Sequence, residues 1–335
     1  MSDREALQTL HLAGSLPSDP VLSNFILPLR AVYHPLGFSV EISTNSDEVL
    51  AAAEESWGRF RKVFSEPPVR IEVGVVADGS KQCPPPTGCR ARGNLLTMIA
   101  DDRNFAVCDL NQGFAFIWLT QAAIENRAYL RYYFLEGTAM ALLDCLHMTP
   151  LHAAVVESDG QGILLCGESG AGKSSLAFAC ARNGWKFLSD DSSAIVRKRK
   201  GRVVVGNPHQ MRFRESAIEL FPELKDQRLA ARATGKMSIE LATATRPEIA
   251  TIEECQVDHI VFLNRREPDP PGLWSLPREL ALQYFEHHIC FGEAGIRQAQ
   301  RLSLENLVTA NVFEMRYSDL DWAVERLETL VQDGN

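Results

Sequence analysis

Gly167, Gly172, Lys173 and Ser174 stand in the order G-x-x-x-x-G-K-[ST], and a little further on the chain reads Asp190, Asp191. Glycines at that spacing let a backbone turn with its N–H groups facing inward, where a side chain would fill the space an anion needs. The whole stretch is Gly167, Glu168, Ser169, Gly170, Ala171, Gly172, Lys173, Ser174 and Ser175. It leaves an apolar run, "GILLC", and enters a small-residue run, "SLAFACA", which is the strand-loop-helix setting such a cradle requires. Lys173 then reaches the outer phosphates as a point charge, and the Ser174 hydroxyl ligates magnesium. The ligand expected from these residues is a nucleoside triphosphate. A plain tight turn, the competing reading, leaves the lysine to chance.

The adjacent acids end the segment "KFLSDD". A strand there, one helix after the loop, brings Asp190 and Asp191 to the same sheet edge as the glycines. Two close carboxylates repel, and a divalent cation offsets the repulsion. One acid, Asp190, is assigned to magnesium, directly or through water. The other, Asp191, is assigned to an acceptor hydroxyl as its base, since phosphoryl transfer needs mainly positioning and charge neutralisation. The alternative is an ATPase-like metal site with the second acid serving as a cap.

The elements that must hold these residues follow from periodicity. From Met148 onward strands and helices alternate: "AAVVES", the turn "DGQG", "GILLCG", the glycine loop and its helix, "KFLSDD", and a hairpin "SAIVRKRKGRVVVG". Near the end, "DHIVFLNRR" and "NVFEMRY" read as strands among three helices, "LPRELALQYFEHHI", "IRQAQRLSLENLV" and "SDLDWAVERLETLV". This half is expected to be α/β. The first half reads as α+β, with strands in "FSVEIST", "VRIEVGVV", "NLLTMIA", "NFAVCDL" and "GFAFIWL". It also holds a helix starting near Ser46 or Asp47, an exposed loop "ADGSKQCPPPTGCRARG", and one long helix from Thr120 to about His147 broken only by a tolerated Gly137. The expected division is therefore residues 1–147, for recognition or regulation, and 148–335, for chemistry, after a loose polar arm of about twenty residues.

Composition narrows the classes. The 335 residues are 45% hydrophobic and 23% charged, so the chain should fold, and its length favours two domains. A net charge of -9 argues against a nucleic-acid partner. The basic run "RKRKGR", Arg197 to Arg202, reads as a solvated hairpin tip, with a contact surface for an acidic peptide or a phosphate as the alternative. No apolar run approaches the roughly 20 residues of a membrane span, and the N-terminus lacks a signal-peptide pattern. Eight cysteines, several in apolar runs, look like reduced thiols and point to the cytoplasm. Cys83 and Cys89 read as loop residues, and the competing half of a zinc site lacks a second pair.

The block "LHAAVVESDGQGILLCGESGAGKSSLAFACARNGWKFLSDD" resembles the catalytic domain of the HPr kinase/phosphorylase-like family. The resemblance lies in a histidine before the first strand (His152), the loop Gly167 to Ser174, "RNG" at Arg182 to Gly184, and the pair Asp190, Asp191. It implies an HPr kinase/PEP carboxykinase-like phosphate-loop domain, a mixed sheet with helices, behind a divergent N-terminal half. It also implies a serine kinase using ATP and magnesium, with Asp191 as base, or as acid in a reverse phosphorolysis, and His152 near the transferred phosphate. The implied acceptor is a serine-containing protein or peptide, and family precedent adds a homo-oligomer to the partners. The family's second signature, downstream, is absent. In its place stand "GNPHQMRFRESAIELF" and "RATGKMSIELA", whose Arg212, Arg214 and Lys236 are candidates to clamp phosphate or substrate. That departure leaves open a nucleotide-binding regulatory module with little turnover, and a small-molecule kinase.

Overall fold

The computed structural model describes residues 26–333, apart from 78, 80, 81, 228, 232–234, 236, 266–269, 288, 290 and 291. The N-terminal arm and Lys236 lie outside the described residues. Among the described residues three sheets form.

The first sheet holds β1 (Leu29–Tyr33), β2 (Val40–Thr44), β3 (Val69–Val76), β4 (Gly88–Arg92), β5 (Leu95–Ile99), β6 (Phe105–Asp109) and β7 (Phe114–Thr120) in the order β1-β2-β3-β7-β6-β5-β4. Its centre, β2-β3-β7, is parallel and the flanks are antiparallel. The helix Asp47–Trp57 follows β2, with Ser46 as N-cap and two acids in its first turn, where they meet the positive helix end. It buries Val49, Ala52, Ala53 and Trp57 against the sheet.

Two expectations for this half need correction. Part of the proline-rich loop is a strand, β4, exposed at all five residues and paired with β5 at the sheet edge. The long helix from Thr120 to His147 is broken, and the break is at Asn126 rather than Gly137. The helix Gln121–Glu125 stops there, the Asn126 side chain accepts from the Tyr129 N–H, and the chain restarts through a wide π turn, Leu130–Glu136, into the helix Gly137–Leu146. An asparagine that offers the backbone a local acceptor competes with helix continuation, whereas Gly137 keeps helical dihedral angles.

The second sheet contains β8 (Met148–Leu151), β9 (Ala154–Ser158), β10 (Gln161–Cys166), β11 (Lys186–Ser189), β12 (Ser193–Val196) and β13 (Val203–Gly206). After a small third sheet of β14 (Gln210–Phe213), β15 (Leu229–Ala231) and β16 (Met237–Ala242), it resumes with β17 (Glu254–Asn264), β18 (Gly272–Ser275) and β19 (Asn311–Arg316). Its main path is β11-β9-β10-β17-β13-β12-β8, and β19 lies along the far half of β17. Only β10, β17 and β19 are mutually parallel; the other pairings are antiparallel. The sheet is thus mixed, as the family resemblance implies. β8, β14, β15, β16 and β18 were not foreseen.

One relationship in this sheet positions the site. β11 and β10 each pair antiparallel with β9, so they run the same way. Their carboxyl ends, Ser189 and Cys166, therefore emerge at one edge, and so do the loop and the acids that follow them. Buried Val156, Ile163, Leu165 and Phe187 on these strands pack against Leu176, Phe178 and Cys180 of the helix Lys173–Arg182. The core of the first half also takes in Met148, Ala194, Val196 and Val205, which joins the two sheets.

Candidate active site

The backbone of Gly167 to Gly172 needs its glycines. Gly172 stands at φ 101°, and a Cβ there would come 2.5 Å from the Tyr317 hydroxyl. Gly167, at φ 143°, would bring its Cβ 2.8 Å from that of Ala171. Positive φ and close neighbours together exclude other side chains at low cost. Helix Lys173–Arg182 starts directly after Gly172, so its unpaired N–H groups and dipole face the cleft.

The cleft, of about 650 Å³, is bounded by Gly170, Lys173, Ser174, Asp190, Asp191 and Arg214 among others. Ser169, Gly172 and Ser175 also face it. Glu168 and Ala171 line a second cleft, of about 570 Å³, together with Gly167 and Gly170. The sequence-predicted loop residues are thus split between two sides of one turn.

Lys173 is buried and donates from Nζ to the Gly167 carbonyl at 2.7 Å. Nζ also lies 3.1 Å from His152 Nε2, and His152 Nδ1 lies 3.3 Å from Asp191 Oδ1. An ammonium has only protons to give, so Nε2 accepts and the ring proton sits on Nδ1, directed at Asp191. Burial pulls the Lys173 ammonium below the ordinary lysine value, while the charge of Asp191 leads the groups that oppose the shift.

Asp190 is buried. Its Oδ2 accepts from the Arg212 N–H at 2.7 Å, and the Ser174 hydroxyl donates to its carbonyl oxygen at 3.4 Å. Burial pushes its carboxyl up to about 6; the Arg212 N–H opposes that and the neighbouring charge of Asp191 adds to it. Asp190, Asp191 and Ser174 form a hard-oxygen set of the type magnesium accepts. Among the described residues no group of three or more His, Cys, Asp or Glu could cage a metal. A cation here fits the pattern in which one or two protein oxygens hold magnesium and phosphates and water complete the shell.

Arg212 and Arg214 differ in what they reach. The Arg212 guanidinium is engaged by Glu240, Nε to Oε1 at 3.1 Å; its backbone N–H bonds Asp190, and its charge also opposes the rise at the Asp190 carboxyl. Arg214 Nη2 donates to Ser169 Oγ at 2.7 Å, which sets its guanidinium beside the glycine loop.

A family model described as "SynChlorMet cassette protein ScmC" matches residues 138–209, the span that holds His152, the loop and both acids. A curated relative, the HPr kinase/phosphorylase of Polaromonas naphthalenivorans (strain CJ2), is 29% identical over 219 residues. Over that span the chain resembles the HPr kinase-like proteins. The match takes in 64% of this chain and 53% of the relative, so the chain spans about half the length of that protein. The HPr(Ser) kinase/phosphatase from Coxiella burnetii is 17% identical, with 56% of this chain and 95% of that chain covered at a TM-score of 0.30.

The candidate site has two braces that spacing did not reveal. Tyr284 donates to the Gly167 carbonyl at 3.1 Å and stands 3.3 Å from the Gly167 N–H. Tyr317 donates to the Ala171 carbonyl at 3.3 Å. Burial pushes both phenols up to about 12, so they stay protonated donors. Tyr284 lies 117 positions from Gly167 and Tyr317 146 from Ala171, and each reads in sequence as an ordinary aromatic of a helix or a strand end.

Proposed function

We propose that this protein is an ATP- and magnesium-dependent kinase that transfers the γ-phosphoryl group to a serine hydroxyl of a protein or peptide. The observation that carries the reading is the chain of contacts Lys173–His152–Asp191 beside the glycine loop, in a cleft that also holds Asp190 and Ser174.

In this reading the loop amides and Lys173 bind the β- and γ-phosphates, and Arg214 closes over them. Ser174 and Asp190 hold magnesium, which supplies charge neutralisation and alignment of the phosphate oxygens. The acceptor oxygen attacks the γ-phosphorus, the bond from that phosphorus to the bridging oxygen breaks, and ADP leaves with the electron pair. Asp191 takes the hydroxyl proton. His152, donating from Nδ1, keeps the Asp191 carboxylate turned toward the cleft.

The N-terminal sheet is assigned to acceptor recognition or regulation. Among the described residues every cysteine is free and no helix is long and apolar enough to cross a membrane, which supports a cytoplasmic setting.

The test is transfer from labelled ATP to serine-containing peptides, with small alcohols as competitors. Label on peptide serine, lost by about a thousandfold in Asp191→Asn while nucleotide affinity stays within about threefold, is the expected result. Label on small alcohols alone, or a protein that does not bind ATP, ends this reading.

A further inference from the structure

Among the described residues a basic surface is assembled from both halves of the sequence. Arg59, Arg61 and Lys62 are exposed on the segment that follows the helix Asp47–Trp57. Lys198, Arg199 and Lys200 are exposed at the tip of the β12-β13 hairpin. The two runs meet through Phe64: the Arg199 guanidinium lies 5.3 Å from the centre of its ring. Lys198 also acts on His147, whose backbone carbonyl accepts from the Arg197 N–H.

Four acids border the surface. Glu254 pairs with Arg199 at 3.3 Å, the Glu54 carboxylate lies against Gly58 next to Arg59, Glu66 faces His147, and Glu253 faces His209. Among the described residues Arg59, Arg61, Lys62, Lys198 and Lys200 have no ion-pair partner within 4 Å. Six cations against four acids leave a local excess of positive charge on a protein whose net charge is -9.

This surface adjoins the cleft. Phe60, between Arg59 and Arg61, packs edge-on against His209, with ring centres 4.7 Å apart. Arg59, Glu253 and Arg61 all act on the His209 imidazole. On either side of His209, Asn207 and Gln210 share a small cavity of about 90 Å³ with Asp190, Asp191 and Arg212. From His209 to Arg212 the chain spans at most about 10 Å. A bound segment lying on Arg59 and Arg61 therefore ends within a few residues of Asp191.

We infer that Arg59, Arg61, Lys62, Lys198, Arg199 and Lys200 form a docking surface for an acidic segment of the phosphoryl acceptor, placed to present a neighbouring serine to the cleft. The inference rests on the kinase reading for the acceptor's identity, but not for binding. Charge separates the occupant from other anions. Attraction from exposed charges fades beyond a Debye length of about 8 Å at physiological salt. A short acidic stretch can stay inside that range, whereas a long polyanion must also lie along the negative remainder of the protein.

The experiment reads binding without ATP, so its failure is distinct from failure of the kinase reading. The probe is a fluorescein-labelled peptide of six glutamates flanking one serine, followed by anisotropy at low and at 0.3 M salt. The controls are the same peptide with lysines for glutamates and a twelve-residue oligothymidine. Two variants are compared, Arg59→Ala/Arg61→Ala/Lys62→Ala and, separately, Lys198→Ala/Lys200→Ala, so that a folding defect in one leaves the other decisive.

Salt-sensitive binding of the acidic peptide, weakened about tenfold or more in both variants with unchanged nucleotide binding, is expected. Equal affinity in a folded variant, equal binding of the lysine peptide, or tighter binding of the oligothymidine overturns the proposal. A protein that docks the peptide yet ignores ATP overturns the kinase reading alone.

Discussion

His152 Nδ1 and Asp191 Oδ1 are 3.3 Å apart, and the other nitrogen of the same ring faces Lys173. A histidine that precedes the loop by fifteen residues thus ties Lys173, at the end of that loop, to the acid assigned as base. If His152 positions Asp191, His152→Gln keeps the loop and loses the aim of the carboxylate. The expected outcome is a fall in kcat of about a hundredfold with nucleotide affinity nearly unchanged. Single-turnover transfer and a separate nucleotide titration check both halves. An equal loss in affinity and rate would assign His152 to phosphate binding instead.

Gly172 is the tightest point of the loop. Gly172→Ala sets a methyl group 2.5 Å from the Tyr317 hydroxyl at a φ of 101°. Relief requires either a shift of Tyr317, which would release the Ala171 carbonyl, or a reshaped cradle. Stability should drop by about 2 kcal/mol, and binding of a fluorescent nucleotide should weaken at least tenfold. Denaturant unfolding and titration measure the two effects independently.

Arg197 opens the basic run that reads in sequence as a solvated turn, yet its guanidinium is built into the fold. Nη1 donates to the Asp144 carbonyl at 2.7 Å and to the Met148 carbonyl, and Nη2 to the Cys145 carbonyl at 2.6 Å. These carbonyls close the helix Gly137–Leu146 where it enters β8. Arg197→Ala removes the guanidinium from all three, leaving the Asp144 carbonyl only its bond from Gln300 Nε2 at 3.1 Å, and should cost about 3 kcal/mol. The loss should appear as a lower urea midpoint with an unchanged slope, and Arg197→Lys should recover only part of it.

Asp144 gives a pH signature. Burial pushes its carboxyl up from 3.8 to about 7, although the Arg197 guanidinium opposes the shift. The folded state therefore holds a proton that the unfolded chain releases near pH 4. The stability this contributes is complete below pH 4 and lost as pH rises through about 7. Asp144→Asn stays neutral throughout, so its Tm relative to the native chain should rise between pH 5 and pH 8. Part of the side chain meets solvent, which limits the expected gain to about 2 kcal/mol. An offset that is the same at both pH values would place the carboxyl's ionisation elsewhere.

Much of the site was readable in the chain because its parts are local. The glycine loop and Lys173 lie within seven consecutive positions, and their conformation follows from having no Cβ at Gly167 and Gly172. Asp190 and Asp191 are placed by one helix and one strand, both of which show their periodicity. Arg214 was visible only as one of three candidate cations. Choosing it over Arg212 required seeing Glu240 across the β14-β16 pairing.

The sequence alone determined the glycine loop, the strand and helix that flank it, and the acids at the next strand end, because backbone sterics and hydrophobic period act over a few residues. Tertiary structure decided that Tyr284 and Tyr317 brace the loop, and that Phe60 brings Arg59 and Arg61 to the His209 turn. Those contacts join residues more than a hundred positions apart. Their energies come from packing and hydrogen bonds that exist only after the sheets have formed, so no local pattern encodes them.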